Sequence, residues 1–245
     1  MKPAALITAI GAQCRTEVVL TMRRGESVLV TIVVPIVLLV FFASARVLPK
    51  GGRGIDYLLP GTLALAIIST SLVSLGIATA YERYYGVLKR LGATPFPRSG
   101  LIAAKMLAVA TIEVIQIVLL VGVGAIFFDW RPHGSFPLAL LVLLLGTLAF
   151  SGLGLILAGN LRAEATLAGA NGLFVFFLLI GGLFVPLDHL PGWLVPVARL
   201  LPADALSDVL RSVLRYAELP WSSAITLVVW ALLLPVFAAR TFRWE

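Results

Sequence analysis

The sequence predicts an all-α, polytopic membrane protein with six transmembrane helices, on three observations. Hydrophobic residues make up 60% of the 245 and charged residues only 13%, where a soluble domain carries about a quarter. Apolar runs of about 20 residues, enough to cross a bilayer at 1.5 Å per residue, recur six times. The basic residues stand at the ends of those runs and collect mostly on one side, as the positive-inside rule requires. The whole chain, 1–245, reads as a single transmembrane domain.

Residues 3–24 place Ile7, Ile10, Cys14, Val18 and Met22 along one side of a helix, with Gln13, Thr16, Glu17, Arg23 and Arg24 mostly opposite. That pattern suits an interfacial helix with its basic face toward anionic headgroups. The first span, 28–48, contains Pro35 as a kink. Ala43-Ser44-Ala45 resembles a signal cleavage site, but the leader is too long for an n-region, so the run reads as an uncleaved anchor. Gly51-Gly52-Arg53-Gly54 follows no strand and precedes no GKS or GKT, which excludes a phosphate cradle. The second span, 57–80, is rich in hydroxyls: Ser69, Thr70, Ser71, Ser74 and Thr79.

The third span, 101–128, carries Glu113 and Gln116 one turn apart. In the fourth, 137–158, Gly152, Gly154 and Ala158 offer a small-residue face for close packing. The fifth, 165–186, holds Asn171, Phe174, Phe176 and Phe177. Residues 187–219 are too broken to span. Pro191 to Arg199 reads as one short helix, and Leu206, Val209, Leu210, Val213 and Leu214 form the apolar stripe of a second, with Asp204 as its N-cap. These two are expected to dip back into the outer leaflet or lie on it. The sixth span is 221–239.

Six spans put both termini on one side. Twelve of the 19 Lys and Arg fall on that side, among them Arg23, Arg24, Lys89, Arg90, Arg162 and Arg240, which makes it cytoplasmic. The scatter of the formal +7 charge over span ends excludes a nucleic-acid face. His133 and His189 both lie in outer loops, with no Cys or carboxylate at zinc-ligand spacing, so no metal is expected. No nucleophile stands beside a base, and there is no P-loop. A lone Cys14 excludes an internal disulfide.

The stretch between the second and third spans, YERYYGVLKRLGATPFP, is the most distinctive. Tyr84, Val87, Leu88 and Leu91 fall at i, i+3, i+4 and i+7, one apolar stripe of a short helix over 83–94. Arg83, Lys89 and Arg90 lie off the stripe, and Thr94-Pro95 and Pro97 stop the helix. Such an element suits docking into a cytoplasmic partner, and equally a positive loop that fixes topology. Glu113 is the one acid well inside a span, where an acid costs about 2.5–3.5 kcal/mol. It is either a polar point on a substrate or proton path, or a structural hydrogen bond to a facing helix or to Gln116. The hydroxyls of the second span and the phenylalanines of the fifth leave the same choice between packing and path.

Glu82, Arg83, Gly86, Leu88, Lys89, Arg90, Leu91, Ala93, Thr94 and Pro95, followed by four further spans, resemble the type-2 ABC transporter permeases, similar to the daunorubicin-resistance type. Leu187, Pro191, Trp193, Pro202 and Arg211 match that family's late excursion, with Leu201 where the family has Asn. The resemblance implies a plasma-membrane (inner-membrane), multi-pass subunit of an ATP-driven exporter for a hydrophobic or amphipathic compound, drug or lipid-like. It implies a dimer, with itself or a sibling permease, embedded in membrane lipid. ATP and Mg would belong to a separate ATPase subunit, with no cofactor in this chain. The leader would be a connecting helix and 83–94 the coupling helix, contacting the ATPase through Glu82, Arg83, Tyr84, Val87, Leu88, Lys89, Arg90 and Leu91. The second and fifth spans would line the path, with Ser71, Ser74, Asn171, Phe174 and Phe177 on it, under a lid of outer helices. The rival is an ion-coupled secondary transporter or channel working through Glu113.

Overall fold

A computed structural model describes residues 6–25, 29–44, 54–94 and 96–242. Among them there is no strand. Ten α-helices follow in order, with a single 3-10 turn, Leu187–His189, between the seventh and eighth: α1 (Leu6–Arg23), α2 (Leu29–Val33 in π winding, then Val34–Ser44), α3 (Gly54–Tyr84), α4 (Val87–Gly92), α5 (Arg98–Phe128), α6 (Phe136–Asn160), α7 (Ala163–Ile180), α8 (Val195–Arg199), α9 (Pro202–Tyr216) and α10 (Trp221–Thr241). Five of them, α3, α5, α6, α7 and α10, are long and apolar enough to cross a bilayer. The sixth expected span, 28–48, is described only as far as Ser44, and its apolar helical part, Thr31–Ser44, is shorter than a full crossing. The far end of that span, the glycine turn at 51–53 and Pro95 lie outside the described residues.

The bundle is assembled around α3. It packs against α2, α5, α6, α7 and α9, and 83% of its most apolar stretch is buried inside the protein. Its middle, Ile68–Ser74, is wound as a π-helix, which holds an extra residue per turn. Ser69, Thr70 and Ser71 are all buried, as is the regular helix before them from Leu58 to Ile67. Ser69 and Thr70 hydroxyls return hydrogen bonds to the carbonyl of Ala66.

The glycines of α6 serve two neighbours. A Cβ on Gly154 would stand 2.9 Å from the carbonyl oxygens of Ser71 and Leu72 on α3, and one on Gly152 would stand 2.6 Å from the backbone of Leu234 and Pro235 on α10. Ala158 is fully buried with Ala80 and Ala163. The single small-residue face expected from Gly152, Gly154 and Ala158 is therefore divided. Two positions apart on a helix is about 200° of rotation, so neighbouring glycines admit different partners.

The excursion after α7 begins at a bend, Gly181–Val185, earlier than the expected end at Pro186. Gly182 has φ +62, a conformation that favours glycine. α9 then runs back along α6. Carbonyls of Leu214 and Val213 accept from the N–H groups of Gly134 and Ser135 at 2.9 and 3.0 Å, while Leu206 reaches Gly146 further along α6. Eleven residues of α6, roughly 16 Å at 1.5 Å per residue, separate those levels. The stripe of α9, Leu206, Val209, Leu210, Val213 and Leu214, is buried as the spacing required. Asp204 is not its N-cap, however. Leu201 holds that position without a side-chain bond, and Pro202 occupies the first turn, where its missing N–H costs nothing. Asp204 lies within the first turn, three residues after the cap position.

Gly154→Val is expected to overpack the α3–α6 crossing and cost about 1–3 kcal/mol, whereas Gly122→Ala, which meets open space, should be neutral. Thermal unfolding of both variants in detergent reads the difference; equal melting temperatures would contradict the close approach.

Candidate functional site

The elbow between α3 and α5 carries the sequence's most distinctive stretch. α3 continues to Tyr84, one turn past the expected end of the span, and the chain then reverses through Gly86, φ +70. Only Val87–Gly92 forms the short helix α4, not the whole of 83–94. The break changes the phase, so the four-residue stripe does not hold. Leu88 is fully buried against its own chain and Leu91 half-buried, while Tyr84, Tyr85, Val87, Lys89 and Arg90 are exposed. Tyr85 stacks on Tyr81, with ring centroids 6.1 Å apart, and meets Tyr84 edge-on at 5.1 Å. Tyr85 was not singled out by spacing; the doubled tyrosine just before a glycine was the available signal.

Two charged residues of the elbow turn inward. Arg83 donates to the carbonyls of Gly159, at 2.6 Å, and Leu161, capping the end of α6 and the turn into α7. Glu82 accepts from Lys105 Nζ at 2.6 Å, and the same ammonium bonds Glu17 Oε1 of α1 at 2.9 Å. Lys105 is 3% exposed and both carboxylates 12%, a buried triad that ties α1, α3 and α5 together. Glu17 and Gln13 were expected on the headgroup side of α1. They stand instead on the face packed against α5, and Gln13 donates to Glu17.

Beside the elbow lies a cleft of about 710 Å³, between α3, the start of α2 and α7, lined by Ser69, Ser74, Ile77, Tyr81, Glu82, Tyr85, Val87, Leu167 and Asn171. Of the expected path residues, Ser74 and Asn171 line it. Ser71 faces the opposite way, Phe174 packs on the core, and Phe177 is buried edge-on against Phe150 at 5.5 Å.

Glu113 does not line the cleft. It is 3% exposed and accepts from Ser71 on α3 and from Thr147 on α6. Gln116 accepts from Thr70 at 3.0 Å and donates to the carbonyl of Thr31 on α2. Thr147 also bonds the carbonyl of Leu143. Glu113 and Gln116 thus bond groups on three neighbouring helices, as polar groups in an apolar bundle do.

At the end of the bundle away from α4, a second cavity of about 500 Å³ is bounded by α3, the Gly181–Val185 bend, α8, α9 and α10. Arg211 of α9 donates to the carbonyls of Gly182 and Leu183 and lies 3.8 Å from the centre of the Tyr57 ring. The Tyr57 hydroxyl also donates to Gly182 O. Asp204 is 6% exposed, and its carboxyl is pushed up to about 6 by burial and then by Asp208, against the pull of Arg211 and Arg199. Burial also lowers Arg211 from its ordinary value. Among the described residues no cluster of His, Cys, Asp and Glu could hold a metal ion.

Residues 8–215 match the model of the ABC-2 type transporter family. The chain belongs to that family. It is a membrane permease subunit of an ABC transporter, multi-pass, and its family works with an ABC ATPase subunit. A Bacillus subtilis protein named as a transport permease, YvfS, is 25% identical over 90% of this chain and 91% of its own length. ABC transporter G family member 20 of Dictyostelium discoideum is 28% identical over 74% of this chain, which spans 26% of that longer protein. A multidrug ABC transporter permease so named in Escherichia coli K12, YbhS, is 24% identical over 67% of this chain and 44% of its own length.

Lys105→Met should leave two buried carboxylates facing each other and cost about 3–5 kcal/mol, whereas Glu17→Gln, which keeps the Lys105–Glu82 bond, should cost far less; melting temperatures in detergent separate them. Asp204, with its pKa raised in the folded state, contributes stability below the ordinary carboxylate pKa near 4 that is lost as pH rises through about 6. In lipid-free detergent, Asp204→Asn should therefore gain on the wild type as pH rises across that window, and a pH-independent difference would contradict the assignment.

Proposed function

We propose that this ABC-2 permease is the membrane half of an exporter that moves a hydrophobic or amphipathic compound outward, driven by a separate ATPase seated on the elbow at Tyr84–Leu91. The observation that carries the reading is the elbow's construction. Its aromatic, aliphatic and basic side chains, Tyr84, Tyr85, Val87, Lys89 and Arg90, are exposed, while Glu82 and Arg83 fasten it to the bundle and Leu88 is buried. An exposed apolar-and-aromatic knob with a basic rim has the composition of an interface hot spot. A knob so fastened would pass movement to α3, α5 and α6 as a unit.

The cleft beside the elbow supplies the path. Apolar Ile77 and Leu167 with Ser69, Ser74, Tyr81 and Asn171 make an amphipathic lining, the kind that holds a largely apolar compound with a few polar points. With α1 and the elbow at the basic end of the chain, both termini face the cytoplasm of a plasma membrane, and a second permease, identical or sibling, completes the path. The complex carries ATP and Mg on the partner. Glu113, closed in by Ser71 and Thr147 and apart from the cleft, gives an ion-coupled mechanism no accessible group to work with.

Val87→Asp or Tyr84→Asp should weaken the ATPase by about tenfold or more, since truncation at a hot spot costs about 2 kcal/mol, with membrane insertion unchanged. Co-purification of tagged permease with its ATPase, and compound-stimulated hydrolysis, measure this. Leu88→Asp is expected to fail differently, by burying an unpaired charge and unfolding the elbow. Full transport by the Val87 and Tyr84 variants would refute the seat.

A further inference from the structure

The second cavity contains two opposite charges whose side chains make no hydrogen bond or salt bridge among the described residues. Arg211 is occupied by the carbonyls of Gly182 and Leu183, by Ser207 and by the face of Tyr57. Asp208 accepts from Ser223 at 2.7 Å. The Asp204 carboxylate accepts no hydrogen bond and joins no ion pair among the described residues, only the Asp204 carbonyl accepting from Ser207, and the Arg199 side chain likewise donates to none, though both line the same space. A buried carboxylate with no hydrogen-bonded partner is costly, so the position suits a cationic group. In front of it the wall is Gly182, where an added Cβ would lie 2.6 Å from Asp204 Oδ1. Only a residue without a side chain lets the carboxylate sit that close to the bend.

The depth of the cavity limits what can reach it. Its walls come from Tyr57 in the first turn of α3 and from Ser222, Ser223 and Thr226 in the first two turns of α10. The ends of two spans lie at the level of lipid headgroups. A free anion and a free cation held apart, with no net charge between them, match a ligand that carries both. The aromatic ring at the site is already covered on one face by Arg211, so no aromatic cage of the kind that selects quaternary ammonium is formed. A primary ammonium, with N–H donors to give a carboxylate, fits better.

We propose that this cavity binds a zwitterion with a primary ammonium and a phosphate or carboxylate, the ammonium on Asp204 and the anion on Arg199, as in phosphoethanolamine. The inference stands apart from the export reading, because it concerns the opposite end of the bundle from the elbow and holds whatever the transported compound. The same chemistry occurs in a phosphatidylethanolamine headgroup and in a free zwitterion, and the depth favours the lipid.

The test uses the full chain in nanodiscs of equal parts phosphatidylethanolamine, phosphatidylglycerol and phosphatidylcholine. Native mass spectrometry of the released protein counts the lipids retained. Wild type should retain phosphatidylethanolamine over both others, and Asp204→Asn and Arg199→Gln should each reduce that preference about tenfold, as for one charge-assisted contact. Arg131→Gln, at an exposed loop position elsewhere, should not. Soluble phosphoethanolamine is added in a second arm: binding of it without lipid enrichment assigns the site to a free zwitterion and keeps the proposal. Arg199 is exposed, so its variant decides the matter even if Asp204→Asn fails to fold. No preference in wild type for either form, or a preference unchanged in Arg199→Gln, overturns the proposal.

Discussion

A polar group inside a bundle surrounded by hydrocarbon has no water to fall back on, so it must find its partner on another helix. That constraint shapes most of the molecule. Glu113 and Gln116 on one helix are answered by Ser71, Thr147, Thr70 and the carbonyl of Thr31 on three others. Lys105 is answered by Glu17 and Glu82, and Arg211 by the carbonyls of the Gly181–Val185 bend. Each contact joins elements far apart in sequence. Between apolar helices in lipid, association rests on close packing and such bonds rather than on expulsion of water, so these few residues fix how the helices sit.

The same constraint explains how the two ends differ. At the elbow, inward charges are paired and the residues left outside are aromatic or basic. At the opposite end, α9 is packed deeply by its apolar stripe, and the acids on its first turn are drawn in with it. Asp204 is buried because Leu206, Val209 and Leu210 are. The helix cannot sink one without the other.

The fold was readable where a single rule governed it. Span positions followed from apolar length, the buried stripe of α9 from 3.6-residue spacing, and the family from the elbow motif. What stayed hidden depended on backbone phase or on distant partners. Gly86 resets the helix between Tyr84 and Val87, so a stripe counted straight across it put Leu88 on the outer surface. The π winding of Ile68–Ser74 sends Ser71 toward Glu113 and leaves Ser74 on the cleft. Glu17 reads as a headgroup-facing residue because nothing nearby in sequence announces Lys105, 88 positions away. Asp204 has the right residue type for a cap, but Pro202 had already taken the start of the helix.

Arg83 reaches past its own helix to hold the carbonyls that close α6 and open α7. A lever gripped at two separate fulcrums cannot swing about either one. Any torque delivered at the neighbouring tyrosines would accordingly turn the base of α7 together with α3, and the two walls of the cleft would tilt in step.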